Sequence, residues 1–174
     1  MFLYIHKIKS STMKKFTLKF IAFASLTLLL TACPYGSEVA IDEPIVKIDD
    51  KLLGKWESKN SNDYIYNVTK KDDFTYKFEK KGKASTDGST YIGFLSVIDG
   101  VRFMNVYEEA SSAKTYYLYK VEQSASGAKT TLIPVTENID EKFASSAELK
   151  AFIKKYMALS FFYSKDQDEY FRAD

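Results

Sequence analysis

Histidine and cysteine, the side chains behind most nucleophilic and transition-metal chemistry, occur once each in this 174-residue chain, as His6 and Cys33. Both lie in or at the edge of an N-terminal segment with the features of a targeting signal, so the chain beyond it offers neither an imidazole nor a free thiol. Catalysis by a Cys–His or Ser–His pair is excluded there, and a His- or Cys-ligated zinc or copper site falls with it. Oxygen chemistry survives. Asp166, Asp168 and Glu169 have a spacing that could meet a hard cation, but a calcium loop needs more ligands and a turn glycine, and the three read as a solvated hairpin turn. Asp72 with Asp73, and Asp140 with Glu141, are sequence neighbours, whereas carboxylates working as acid and base must face each other across a substrate. The sequence thus predicts a non-catalytic protein with no cofactor and no metal.

Binding chemistry is better represented. The chain holds 13 tyrosines, and Tyr64, Tyr66, Tyr76, Tyr91, Tyr107, Tyr116, Tyr117 and Tyr119 fall in strand-like runs. A phenol offers an apolar ring with a polar tip, which suits a half-polar pocket or a barrel exterior. Asn105 lies between Phe103 and Tyr107 on an apolar face, where a buried amide must find partners. A pocket lined by Tyr66, Tyr76, Phe103, Asn105 and Tyr119 is the expected ligand site, and a small barrel simply filled by these side chains is the alternative.

The elements that must position these residues are mostly strands. Residues 73–80 alternate Phe74, Tyr76 and Phe78 with Thr75, Lys77 and Glu79, one side dry and the other wet. Residues 63–69 alternate less sharply, and Lys71-Asp72 supplies the turn between the two runs. Residues 91–98 and 101–108 flank Asp99-Gly100, a dipeptide suited to the left-handed dihedrals of a type I′ turn. Strands at 114–123 and 129–136 follow, with Pro134 placing the second at an edge or ending it. Residues 80–89 read as a loop. Ser145 and Glu148 have capping-box spacing before Leu149, Phe152, Ile153, Tyr156 and Met157, whose positions describe one amphipathic helix resting on the sheet. A last hairpin is expected from 159–163 and 168–172. The fold expected is mainly β, an antiparallel up-and-down β-barrel with one late helix, and an Ig-like sandwich is the second choice.

Upstream, Met13 opens a basic stretch followed by an apolar run at 20–32, too short for the roughly 20 residues that span a bilayer core. The end of that run, Leu30-Thr31-Ala32-Cys33, resembles the lipobox of bacterial lipoproteins. The resemblance implies cleavage after Ala32, lipidation of Cys33, and a membrane anchor without a span. Translation is expected to start at Met13. Pro34 stands where inner-membrane lipoproteins of many Gram-negative cells resemble one another in carrying Asp, so outer-membrane placement in the cell envelope is implied. The first 32 residues hold five lysines and no acid, leaving 20 basic against 23 acidic residues, which gives nucleic acid no electrostatic support as a partner. Residues 33–50 read as the lipidated cysteine and an acidic tether, able to hold a domain up to about 55 Å from the lipid.

The remaining chain, 51–174, opens with Leu52-Leu53-Gly54-Lys55-Trp56-Glu57. Gly54 and Trp56, the only tryptophan, are similar to the Gly-x-Trp motif of lipocalin-like (calycin-like) proteins. That resemblance implies a Trp closing the barrel floor with a late arginine over it, for which Arg172 is the candidate. The order departs from the standard lipocalin, because here strand-like residues follow the helix. Two functions are expected from these readings. One is a lipid-anchored envelope protein that encloses a small, partly apolar ligand. The other is a protein-interaction module, such as an inhibitor, an immunity-type protein or an accessory subunit, using an exposed aromatic strand face.

Overall fold

In a computed structural model of the chain, the described residues are 35–60, 63–84, 88–136 and 138–173. The leader at 1–32, the start at Met13 and Cys33 lie outside them. Nine strands are present among the described residues: β1 (Gly36–Ser37), β2 (Gly54–Ser58), β3 (Tyr64–Lys70), β4 (Thr75–Gly82), β5 (Gly88–Ile98), β6 (Val101–Glu108), β7 (Tyr116–Gln123), β8 (Lys129–Pro134) and β9 (Asp168–Arg172). One α-helix, α1 (Ser146–Tyr156), lies between β8 and β9.

Every strand pairing is antiparallel. From β2 to β8 each strand pairs with the next, and β9 pairs with both β8 and β2. The result is a closed eight-stranded up-and-down barrel, which leaves no long edge exposed. β1 stands outside this ring. It pairs with Tyr116 and Tyr117 at the end of β7 that β8 has already left, since Pro134 is the last partner of β7 on that side. The tight turn after β5 has the dihedrals its sequence requires, with Asp99 at φ 48° and Gly100 at φ 82°.

Residues directly opposite in an antiparallel pair share a face, so the register sorts the side chains into inside and outside. Trp56, Val68, Tyr76, Leu95, Met104 and Val121 form, with Leu52 ahead of β2, the buried cluster inside the barrel. A second buried cluster lies on the outer surface of β5 to β7, where Ile98, Phe103 and Leu118 are covered by Leu149 and Ile153 of α1 and by Ile41. The helix stripe expected from sequence thus rests on the sheet. Its start is capped by Ser145, whose hydroxyl accepts from the Glu148 amide at 3.3 Å, while the Glu148 carboxylate accepts from the Ala144 amide at 3.0 Å.

Three expectations from sequence are corrected. Residues 35–50 are a docked strap, not a free tether: Ile41 is fully buried, its amide donates to Asn105 Oδ1 at 2.9 Å, and Asp42 takes Lys150 of α1 on both oxygens at 2.8 Å. The strap has no period because it is held from two sides, by the barrel and by the helix, with little secondary structure of its own. The expected hairpin at 159–163 is also absent. Residues Ser160–Phe162 form a 3-10 turn, and only Tyr163 makes a bridge, to Val135, while β9 spends its hydrogen bonds closing the barrel. The loop expected at 80–89 is shorter than that, since β4 runs to Gly82 and β5 begins at Gly88.

Candidate functional site

The barrel is sealed at one end. A 3-10 turn at Asp50–Leu52 brings the strap across the floor and into β2. Trp56 is 3% exposed, and its indole N–H donates to the Leu52 carbonyl at 2.9 Å. Arg172 is the register partner of Trp56 on β9, and its guanidinium lies 4.8 Å from the indole ring centroid. The same guanidinium donates to the carbonyls of Leu53 (2.9 Å), Lys51 (2.8 Å) and Gly127 (3.2 Å), so one side chain ties the strap, β2 and the β7–β8 turn together. Gly54 makes room for it. At φ +117° a side chain there would be strained, and its Cβ would stand 2.8 Å from Arg172 Nη1.

Tyr76 completes the floor. It is fully buried, and its hydroxyl accepts from the Asp49 amide at 2.5 Å. Burial pushes its phenol up to about 12. Asp49 is in turn held by Arg102 Nη1 at 2.9 Å.

The other half of the barrel differs. Tyr66, Tyr91, Tyr117, Tyr119 and Tyr170 face inward by register, and all five keep part of their surface in contact with solvent, while the cluster residues nearer the floor are buried. Tyr66 and Tyr170 meet edge to face, with centroids 5.3 Å apart. Asp168 points inward on the same strand as Tyr170, whose hydroxyl donates to its Oδ2 at 3.4 Å. Burial first, and the Asp168 charge second, raise the phenols of Tyr66, Tyr119 and Tyr170, Tyr119 to about 12. At the rim, the Lys80 ammonium sits 4.0 Å above the Tyr64 ring. The mouth half is therefore a wall of ring faces carrying protonated phenols, with the Asp168 carboxylate among them and Glu108, the register partner of Tyr91, on the same face at the rim. It can exclude water from a flat or chain-like apolar body and hydrogen-bond a polar group on it.

The five residues expected to share a pocket do not share one. Tyr66 and Tyr119 belong to the mouth half. Tyr76 faces inward but is sealed in the floor. Phe103 and Asn105 point to the outer surface, under the strap and α1. The Asn105 amide is satisfied there: Oδ1 accepts from Ile41, and Nδ2 donates to Ser96 Oγ at 2.9 Å and to the Phe94 carbonyl at 3.3 Å. It anchors the strap, outside the barrel interior.

Sequence reasoning passed over Tyr170 and Asp168. The signal was present, because Asp168, Tyr170 and Arg172 alternate with Glu169 and Phe171. The strand at 168–172 was expected, but which of its faces turns inward was not assigned and its acids were read as solvated; there Asp168 pairs with Leu132. Glu169 points outward and is bound by Lys59 at 2.9 Å and by Lys129. Among the described residues no group of three or more His, Cys, Asp or Glu could hold a metal ion. Comparison with protein-family models, curated proteins and solved structures found no match.

Proposed function

We propose that this is a lipid-anchored protein of the bacterial cell envelope, lipidated at Cys33, non-catalytic, which encloses a small, partly apolar ligand in the mouth half of its barrel. The observation that carries the binding reading is the division of the interior, with a floor closed by Trp56, Tyr76 and Arg172 beneath inward tyrosines that keep solvent contact. Ligand rings or chains would lie against Tyr66, Tyr119 and Tyr170, and the phenols and Asp168 would fix a polar group. The Gly54, Trp56 and Arg172 arrangement supports the likeness to lipocalin-like proteins, the lipobox at 30–33 supports the anchor, and Pro34 in place of Asp supports the outer membrane. An exposed aromatic docking face has less support: Phe94 and Tyr107 stack edge to face on Tyr116, and of the exposed large apolar residues Ile45, Val97 and Phe171 lie on separate elements, with Leu159 and Phe161 alone sharing a turn.

Native mass spectrometry on residues 34–174, incubated with envelope extract from the host, tests the binding reading. A reproducible added mass that is lost in Tyr119→Ala and kept in Asn105→Leu is expected. A folded domain that gains no mass would turn the search toward protein partners. Replacing Cys33 by Ser is expected to release the full protein from membranes, and a variant that still pellets with the envelope at high salt would refute the anchor.

A further inference from the structure

The two faces of β9 treat their acids differently. On the outward face Glu169 takes two ammonium groups, from Lys59 and Lys129. On the inward face Asp168 is half-buried, and among the described residues no lysine or arginine pairs with it. Its bonds to them come from neutral donors at long range: Oδ1 accepts from Asn60 Nδ2 at 3.3 Å, and Oδ2 from the Tyr170 hydroxyl at 3.4 Å. A carboxylate drawn part-way out of water is ordinarily compensated by a counter-charge or by short hydrogen bonds, and Asp168 has neither among these residues.

The surroundings decide which group could compensate it. The phenols of Tyr66, Tyr119 and Tyr170, raised first by burial, are each raised further by the Asp168 charge, so all three lie within electrostatic reach of the carboxylate. By register, the charged side chains facing inward in the mouth half are Lys80, Glu108 and Asp168, two acids against one base. Lys80 is on β4, with β2 and β3 between it and β9, and its ammonium is engaged 4.0 Å above the Tyr64 ring. That contact shows a mouth tyrosine accepting an ammonium on its ring face. An anionic ligand would meet two carboxylates, and a neutral one would leave Asp168 without a counter-charge. A cation would satisfy both the carboxylate and the ring faces.

We propose that the mouth half takes a protonated amine on an apolar body, its ammonium held by Asp168 among the rings of Tyr66, Tyr119 and Tyr170. This names the ligand class for the enclosure reading above and rests on that reading. The ammonium N–H groups donate to the Asp168 oxygens in charge-assisted bonds and to the phenol oxygens beside them. The apolar body lies against the rings and against Leu132, the register partner of Asp168. Glu108, exposed at the rim, adds to the negative potential over the mouth but is screened by water.

The test is calorimetric titration of the protein as isolated from its host, corrected for its detergent alone, with two bodies in three charge states. The probes are phenethylamine, phenethyl alcohol and phenylpropionate, and hexylamine, hexanol and hexanoate. Both amines are expected to bind more tightly than the alcohols, and the carboxylates most weakly. Asp168→Asn is expected to weaken the amines by about tenfold to a hundredfold, while its unchanged affinity for the alcohols reports a folded barrel. Glu108→Gln, which removes the same charge from the rim, is expected to change amine binding little. The charge order in the unaltered protein tests the ligand class without any variant. Alcohols or carboxylates that bind as tightly as the amines overturn the cation and leave the enclosure reading standing. Amine binding that Asp168→Asn and Glu108→Gln weaken equally overturns Asp168 as its seat. An envelope-derived mass that depends on Tyr119 but contains no basic nitrogen also overturns the cation alone. No binding by any of the six probes, together with no mass gained from the extract, overturns the cation and the enclosure together.

Discussion

Asn105 and Tyr119 show how two polar side chains on neighbouring strands can do opposite work. Asn105 spends its whole amide on the strap and on β5, so Asn105→Leu orphans the buried Ile41 amide and the Ser96 hydroxyl. An unsatisfied buried group costs about 1–3 kcal/mol, and the urea midpoint of the domain is expected to fall accordingly, with faster hydrogen exchange at Ile41 and no change in ligand capacity. Tyr119 bears instead on alkaline stability. Its folded phenol, like that of Tyr76, titrates at about 12, above the value near 10 of an unfolded tyrosine. Both groups are protonated in both states below pH 10, so their contribution is intact there. As pH rises from about 10 to 12 the unfolded chain gives up protons first and the native state loses stability. Urea midpoints across that window are expected to fall, tyrosinate absorbance is expected to lag behind that of the unfolded chain, and Tyr119→Phe is expected to make the fall shallower.

Among the elements, α1 and the strap depend on each other. Leu149 and Ile153 cover Phe103 and Leu118 only where Ile41 fills the space beside them, and the Lys150–Asp42 pair joins helix to strap directly. Leu149→Ala is expected to cost about 2–5 kcal/mol as a buried truncation, and Ser145→Ala about 1 kcal/mol through loss of the cap, both measured by urea unfolding. Hydrogen exchange at Ile41 is expected to rise in the Leu149→Ala protein, which a free tether would not show. The strands and α1 were legible in the sequence because each repeats a period that burial imposes. The strap was not, since its hydrogen bonds go to Asn105, Tyr76 and Asp73 rather than to a regular ladder. The same cause misplaced half of the site. Alternation tells which residues share a face but not which face is the interior, and on β6 both faces are apolar: Met104 packs into the barrel, while Phe103 and Asn105 lie under the strap and helix. Tyr66 and Tyr119 were readable as inward residues, but their neighbours Tyr170 and Asp168, although on the strand expected at 168–172, depended on knowing which of its faces turns inward.

At the scale of the whole molecule, the last five-residue strand decides whether a barrel exists. Among the described residues β9 is the only strand linking β2 and β8, and it carries Arg172 to the floor and Tyr170 with Asp168 to the mouth. The two ends can be separated by experiment. Arg172→Ala removes the bonds to Leu53, Lys51 and Gly127 and uncovers Trp56, yet leaves the pairing of β9 in place. It is expected to lower stability while the protein stays monomeric, and Trp56 fluorescence is expected to become accessible to iodide. Stopping the chain after Gln167 removes the strand itself. β2 and β8 then each present an unpaired row of amides and carbonyls, and the apolar cluster around Trp56 and Leu132 opens beside them. Edges of that kind pair with other chains, so light scattering of the truncated protein is expected to report growing oligomers at concentrations where Arg172→Ala remains monomeric. A monomeric, cooperatively folded truncation would mean that β2 and β8 can close on each other without β9. The mouth half would then be built from seven strands, and Tyr170 and Asp168 would lose their place in the proposed ligand site.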